Sequence, residues 1–178
     1  RTEADQMFLD QLPRVRDVFE SFDIPVLNVE GYEADDVIAT IDHENSGNWA
    51  QTIIVTGDQD LFQLVDEDTF VYLAGRKFSE SKLFDSKMVE DKLGISPLQV
   101  VDYKALRGDS SDNIPGVRGI GPKTASDLIK QFGTLDDVYM NVDKIKESVS
   151  KKLTEDYESA MISKTLATVV KNVPISYD

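Results

Sequence analysis

The spacing of apolar residues near the start of the chain predicts an amphipathic helix over residues 5–22. The apolar positions that recur at nearly helical spacing are Met7, Phe8, Leu12, Val15, Val18, Phe19 and Phe22. The pattern then predicts a short strand over Pro25–Val29, and Gly31 breaks the chain after it. A second helix is predicted from Glu33 to about His43, with its apolar side chains facing inward.

Three short segments rich in β-formers predict a sheet. The run TIIVT at Thr52–Thr56, bounded by Gly57, is typical of a strand buried on both faces of a parallel sheet. Thr69–Leu73 is predicted as another strand, and Lys82–Phe84 as its partner in an edge hairpin. Helices and strands therefore alternate along this part of the chain, which indicates an α/β sheet with helices on its faces.

After Asp85 the pattern predicts helices alone, each with clear boundary residues. The predicted helices run from Asp85 or Ser86 to Gly94, from Ser96-Pro97 to Gly108, from about Lys123 to Phe132, and from Thr134 onward to about Val170. We therefore predict two units, an α/β unit over residues 1–85 and a helical unit over residues 86–178.

Composition excludes several classes of protein. The chain has no cysteine, which excludes disulfides, thiolate zinc sites and cysteine nucleophiles and favours a reducing compartment such as the cytosol. No run of apolar residues is long enough to span a membrane. The formal net charge of -14 argues against a nucleic-acid surface spread over the whole molecule. Basic residues nevertheless outnumber acidic ones in one window, which contains Lys104, Arg107, Arg118, Lys123 and Lys130.

Carboxylates cluster at three junctions between predicted elements. The acidic residues at these junctions are Glu33, Asp35, Asp36, Asp58, Asp60, Asp109 and Asp112. Each group alone is explained by helix capping or turn formation. Like charges that meet at one place raise each other's pKa, so such a cluster persists mainly where a cation is bound. Ligands that are all oxygen indicate magnesium or manganese rather than zinc.

A glycine-rich segment, GVRGIGPKTA at Gly116–Ala125, predicts a second kind of site. Glycines let a backbone approach a phosphate closely, and a helix N-terminus offers free amides to it. Arg118 and Lys123 add positive charge at this turn. The alternative is an ordinary tight turn followed by a helix.

The segments GYEADD, VTGDQDLFQL, LRGDSSDNIPGV and RGIGPKTASDLI, in this order and spacing, resemble the 5′-nuclease family. The nearest pattern is that of the 5′→3′ exonuclease domains of bacterial DNA polymerases I, with the flap endonucleases more distant. The resemblance extends from about residue 10 to about residue 170. It implies a Rossmann-like (PIN-like) nuclease core joined to a helix-three-turn-helix unit that grips duplex DNA by its backbone.

The resemblance also implies roles for particular residues. Two Mg²⁺ or Mn²⁺ ions would be held by the acidic residues, which serve as ligands and not as nucleophiles. The first metal region would take Glu33, Asp35 and Asp36, the second would take Asp109 and Asp112, and Asp58 and Asp60 would lie between the two. The DNA backbone would contact Arg118, Gly119, Gly121, Lys123 and Thr124. A potassium ion held by carbonyl groups is expected at the turn over Gly116–Gly121.

Family members begin with strands and arch residues that have no counterpart in this sequence, so we expect residues 1–85 to form only part of the nuclease core. The implied activity is 5′→3′ exonuclease or 5′-flap endonuclease action on DNA by a monomer, in the bacterial cytosol or nucleoid, with a covalently linked polymerase domain as a candidate partner. One alternative is a DNA-binding or structural module of the same fold without catalysis. A second is an RNA-directed nuclease.

Overall fold

A three-stranded sheet forms the first part of the protein in a computed structural model that describes residues 5–75 and 77–177. The strands are β1 (Thr52–Thr56), β2 (Thr69–Leu73) and β3 (Lys82–Phe84), in the order β1-β2-β3. Strands β1 and β2 are parallel, with Thr52 opposite Thr69, whereas β2 and β3 are antiparallel. The three strands predicted after residue 50 are thus confirmed, including the edge hairpin.

One face of β1 is exposed, which corrects the prediction that this strand is buried on both faces. Ile54 is buried, but Ile53 is 51% exposed and Val55 is 67% exposed. Within the described residues β1 pairs with β2 alone, so no strand lies along its other edge, and the exposure of Ile53 and Val55 shows that its outer face is largely uncovered. The apolar β-branched run therefore predicted the strand correctly, but it did not predict correctly that both faces of the strand are buried.

The prediction of one helix over residues 5–22 is wrong, because two helices occupy this stretch. Helix α1 spans Gln6–Leu9 and α2 spans Leu12–Ser21, with Pro13 in the first turn of α2. A continuous helix would need a hydrogen bond from residue 13 to the Leu9 carbonyl. Proline has no N–H to donate, and its ring clashes with that carbonyl, so the helix restarts.

The predicted strand over Pro25–Val29 is also wrong, since this segment has no regular structure. A strand is stable only when a neighbour completes its ladder of hydrogen bonds, and no described strand pairs with this segment. Helix α3, Ala34–Glu44, follows it and confirms the predicted second helix. The Thr40 hydroxyl donates to the Asp36 carbonyl at 2.8 Å and accepts from the Val173 amide at 3.1 Å. The bond from Val173 ties its segment of the chain to α3.

Six α-helices follow the sheet in the described residues. They are α4 (Ser86–Leu93), α5 (Val100–Arg107), α6 (Pro122–Phe132), α7 (Leu135–Met140), α8 (Glu147–Glu155) and α9 (Tyr157–Ala167). Helices α4, α6 and α7 start within a residue of the predicted boundaries, α5 starts after a 3₁₀ turn at Pro97–Gln99, and α8 and α9 lie in the stretch predicted only as helical. Asp85 caps α4, and Gly94 ends it with a left-handed φ of 74°. Helix α9 ends before the predicted Val170, whose amide instead donates to the Asp36 carboxylate at 2.8 Å.

Helix α5 lies at the centre of the helical part and joins it to the sheet. Its residues Tyr103, Ala105 and Leu106 are buried, and α6 and α9 pack against it. The 3₁₀ turn at Asp60–Leu64 places Phe62 in the same core, with its ring centroid 4.7 Å from that of Phe84. Buried residues of the sheet and of the helices therefore form one contiguous cluster. The predicted α/β core joined to a helical unit is confirmed.

A buried serine holds the glycine-rich segment onto α9. The Gly116 amide donates to the Ser163 hydroxyl at 2.8 Å, and that hydroxyl donates to the Ser159 carbonyl at 2.7 Å. We expect Ser163→Ala to lower the free energy of unfolding by about 1–3 kcal/mol, because the buried amide loses its acceptor. Urea denaturation measures the change. The exposed Ser148→Ala is the control, and equal stability of the two variants would contradict the prediction.

Candidate metal centre and nucleic-acid interface

Three of the predicted acidic residues meet at one point on the protein. One carboxylate oxygen each from Asp58, Asp60 and Asp112 lies within 4.8 Å of the other two. Asp58 and Asp60 directly follow β1, the position at which ligands bind in open α/β sheets. The Asp58 carboxylate accepts the Asp60 amide at 3.0 Å, and this turn presents both side chains at the same edge. Asp112 reaches them from the loop after α5.

The acidic group at the start of α3 is divided between two roles. Burial raises the pKa of the Asp35 carboxyl, and the charges of Asp58, Glu33, Asp36 and Asp112 raise it further, so Asp35 belongs electrostatically to the cluster. The Asp36 carboxylate accepts the Glu33 amide at 3.2 Å in a capping box. Its other oxygen accepts the Val170 amide. In this geometry Glu33 and Asp36 cap the helix, and their role as metal ligands stays a prediction.

A buried lysine lies among these acids, at a position for which the sequence predicted no role in the centre. The Lys104 side chain is only 6% exposed, and its ammonium contacts Asp60 and also lies 2.9 Å from Asp109 Oδ2. Burial lowers the pKa of Lys104, but its hydrogen bonds to both carboxylates raise it above its ordinary value overall. Burial raises the pKa of Asp60 to about 6, against the effect of Lys104. One signal was present in the sequence, because Lys104 is followed directly by the apolar residues Ala105 and Leu106 and preceded by Tyr103.

The loop that contains Asp109 and Asp112 is closed by backbone contacts. The Asp109 amide donates to the Ile114 carbonyl at 2.8 Å, and the Ile114 amide donates back at the same distance. Within the loop, Ser111 donates its hydroxyl and its amide to Asp109. Burial raises the pKa of Asp109, but these bonds and Lys104 lower it to about 2 overall. Asp109 is therefore ionised at neutral pH and held in a fixed direction.

An open cavity of about 370 Å³ adjoins the cluster, and Asp58, Asp60, Lys104 and Asp109 are among the residues that line it. Arg107, at the rim, places its guanidinium carbon 5.7 Å from the centroid of the Tyr103 ring. The lining thus combines three aspartates with two basic residues, Lys104 and Arg107. This arrangement suits an ion held beside a phosphate group.

The glycine-rich turn is held rigidly by an ion pair. Asp156 accepts the Arg118 amide at 2.8 Å and also binds the Arg118 guanidinium, with Nη2 at 2.6 Å from Oδ1. The Lys152 ammonium donates to the Gly119 carbonyl at 2.9 Å, and the Ser159 hydroxyl donates to the Gly116 carbonyl at 2.7 Å. Two carbonyls of the turn thus already accept hydrogen bonds, and the potassium ion stays a prediction.

Helix α6 begins directly after this turn. Pro122 is its first residue, and Ala125 donates the first helical bond, to the Gly121 carbonyl at 3.0 Å. The amides of Lys123 and Thr124 precede that bond and belong to the free N–H groups of a helix start. The geometry therefore fits the predicted phosphate contact at this helix end.

Fold and site together define a Rossmann-like α/β protein with an acidic centre at the carboxyl end of its sheet and a helical unit attached to that edge. Two family models cover the chain. Residues 1–94 match the 5′-3′ exonuclease, N-terminal resolvase-like domain, and residues 95–178 match the 5′-3′ exonuclease, C-terminal SAM fold. The chain belongs to the 5′-3′ exonuclease family.

Relatives with high sequence identity are DNA polymerases I. The protein from Caldicellulosiruptor bescii is 42% identical over 168 residues, which are 93% of this chain and 20% of that protein. The protein from Chloroflexus aurantiacus is 41% identical over 182 residues, covering 100% of this chain and 19% of that protein. The chain thus spans about a fifth of the length of the curated relatives it matches.

Solved structures show the same fold at low sequence identity. The T5 D15 protein, crystallised with metal ions, has a TM-score of 0.77 and 24% identity, with 94% of this chain and 63% of that chain covered. The catalytic core of Rad2 in complex with DNA substrate has a TM-score of 0.60 and 20% identity, with 99% and 60% covered. No helix in the described part of the chain has the length and apolar character needed to cross a membrane.

Proposed function

We propose that this chain provides most of the metal centre and the DNA grip of a 5′→3′ exonuclease or 5′-flap endonuclease. The observation that carries the proposal is the meeting of Asp58 and Asp60 with Asp112. The first two lie in the segment matched by the N-terminal family model, and the third lies in the segment matched by the C-terminal one. Oxygens from distant parts of the sequence would not converge through local capping alone.

The centre is proposed to hold two Mg²⁺ or Mn²⁺ ions. The donor set fits such ions, because the clustered ligands are all carboxylate oxygens and the described residues around them include no imidazole. Asp35, Asp58, Asp60, Asp109 and Asp112 would hold the ions. Bound there, the ions would lower the pKa of a water and stabilise the leaving oxygen of a phosphodiester. The carboxylates would be the ligands that fix the positions of the ions, and they would not attack the substrate.

The helical part is proposed to bind duplex DNA by its phosphates. Lys123 and Thr124 offer their amides at the start of α6, and Arg118 and Gly119 belong to the turn that precedes it. Contacts of this kind fix the position of a duplex without reading its bases, so binding depends on salt and little on sequence. Residues 1–85 would then act as the nuclease core and residues 86–178 as the DNA-binding unit.

The partners of the protein follow from the family to which it belongs. We propose DNA with a 5′ end or a 5′ flap as the substrate and a polymerase domain in the same polypeptide as a partner, since the relatives are DNA polymerases I. The protein would act as a monomer in the bacterial cytosol or nucleoid.

Cleavage of a labelled duplex with a 5′ flap tests the proposal. The 178-residue chain and the full-length gene product are incubated with Mg²⁺ or with EDTA, beside a matched 3′-flap duplex and an RNA duplex. We expect the full-length protein to cleave the 5′-flapped DNA when Mg²⁺ is present. It should cleave neither the 3′-flap duplex nor the RNA duplex. Salt-dependent binding without cleavage would instead favour a non-catalytic DNA-binding module, and preference for RNA would favour an RNA-directed nuclease.

A further inference from the structure

Lys104 joins the two segments of the chain that build the acidic centre. Its ammonium contacts Asp60, which follows β1, and lies 2.9 Å from Asp109, which follows its own helix. With a side chain only 6% exposed, Lys104 cannot turn its charge to solvent without leaving the core. A lysine is almost never buried to this extent unless it is paired.

The position of this ammonium matters because Asp60 is also one of the three clustered carboxylates. An ion bound by Asp58, Asp60 and Asp112 would lie beside the Lys104 charge. Two effects follow. The lysine cancels part of the repulsion among the acids when no ion is present, and it repels any divalent ion that enters.

We propose that Lys104 acts as an internal counter-cation, which offsets the repulsion between Asp60 and Asp109 when no ion is bound and weakens the hold of the centre on divalent ions. This inference rests on the proposed metal centre. A weakened hold keeps a bound ion exchangeable. A lysine that served only to pack the core would have the opposite effect, because its loss would scatter the ligands and reduce metal affinity.

The test is the affinity of the 178-residue chain for Mn²⁺, measured by calorimetry, together with the melting temperature with and without Mn²⁺. We expect Lys104→Met to bind Mn²⁺ at least about tenfold more tightly than the wild type, because a repelling charge close to the ion is removed. Without the ion the variant should melt at a lower temperature, and Mn²⁺ should raise its melting temperature by more. Lys104→Gln removes the charge but keeps a donor, and should bind Mn²⁺ more tightly as well.

The chain contains a matched control for this experiment. Lys164 also bridges two aspartates, lying 3.1 Å from Asp102 and 2.9 Å from Asp136 on another part of the molecule. Lys164→Met should lower stability and leave Mn²⁺ affinity unchanged. Lys104→Arg keeps the charge and should retain an affinity close to that of the wild type.

The outcomes separate this inference from the proposed function. Equal or weaker Mn²⁺ binding by both Lys104→Met and Lys104→Gln, with binding by the wild type intact, overturns the role of Lys104 alone. A failure of every protein, including the wild type, to bind Mn²⁺ overturns the metal centre and the inference with it. Tighter binding in Lys164→Met as well would show a general effect of net charge and would also overturn the inference.

Discussion

Asp112→Asn is expected to lower the affinity of the chain for Mn²⁺ by at least roughly a hundredfold, since even residues that only support metal ligands are worth 10–100-fold. Asp112 is the clustered carboxylate that comes from the helical half, and its oxygen lies within 4.8 Å of those of Asp58 and Asp60. Asparagine keeps the shape of the side chain but loses the charge. The same substitution in the full-length protein should abolish measurable cleavage of a 5′-flapped duplex.

Calorimetric titration with Mn²⁺ and a cleavage assay measure these two effects. Asp127→Asn is the matched control, because it removes an exposed aspartate from α6 and should change neither quantity. DNA binding in EDTA should be similar for both variants, since the proposed phosphate contacts lie at the glycine-rich turn. An Asp112→Asn protein that binds Mn²⁺ as tightly as the wild type would contradict the assignment of the centre.

Gly116→Ala is expected to lower the free energy of unfolding by roughly 3 kcal/mol or more, because it combines an unfavourable backbone angle with a steric clash. Gly116 has a φ of +63°, and a Cβ added there would meet the Cα of Gly108 at 2.6 Å and the carbonyl carbon of Arg107 at 2.7 Å. These atoms are backbone and cannot move aside alone. The loop with Asp109 and Asp112 starts at this contact, so we expect weaker Mn²⁺ binding as well.

Gly47→Ala separates the two causes of this destabilisation. Gly47 also has a positive φ, +77°, but nothing lies within 4 Å of the added Cβ. Its substitution should cost only about 1–2 kcal/mol, the price of the left-handed backbone alone. Urea denaturation of both variants gives the comparison. Equal losses would show that the close approach of Gly108 and Gly116 does not hold the loop closed.

Local signals in the sequence were sufficient for most of the helix boundaries. Asp85 and Thr134 cap their helices through their own side chains, and Gly94 ends α4 with a positive φ. Each of these helix ends depends on residues only three or four positions apart, so the local sequence is enough to predict it. The strand predicted over Pro25–Val29 failed because a strand depends on a partner that local sequence does not specify.

In the candidate centre, too, features set by neighbouring residues were predictable, whereas contacts between distant residues were not. The Asp58 and Asp60 turn was predictable, because each residue follows a recognisable strand. Lys104 was not assigned to the centre, because its partner Asp60 lies 44 residues earlier in the chain. Capping and metal binding require the same residue type at a helix start, so the sequence could not distinguish the two roles for Glu33 and Asp36. Only the bond from the distant Val170 amide shows that Asp36 also anchors another segment.

The α/β part and the helical part share one hydrophobic core. Because Phe62 from the α/β part and Leu106 from the helical part belong to the same buried cluster, neither half retains a complete interior when separated from the other. We therefore expect the two segments that the family models match to fold together and not independently. Lys104 belongs to α5, so local unfolding of that helix would break its contacts with Asp60 and Asp109. The acidic centre is therefore expected to keep its geometry only while α5 is folded.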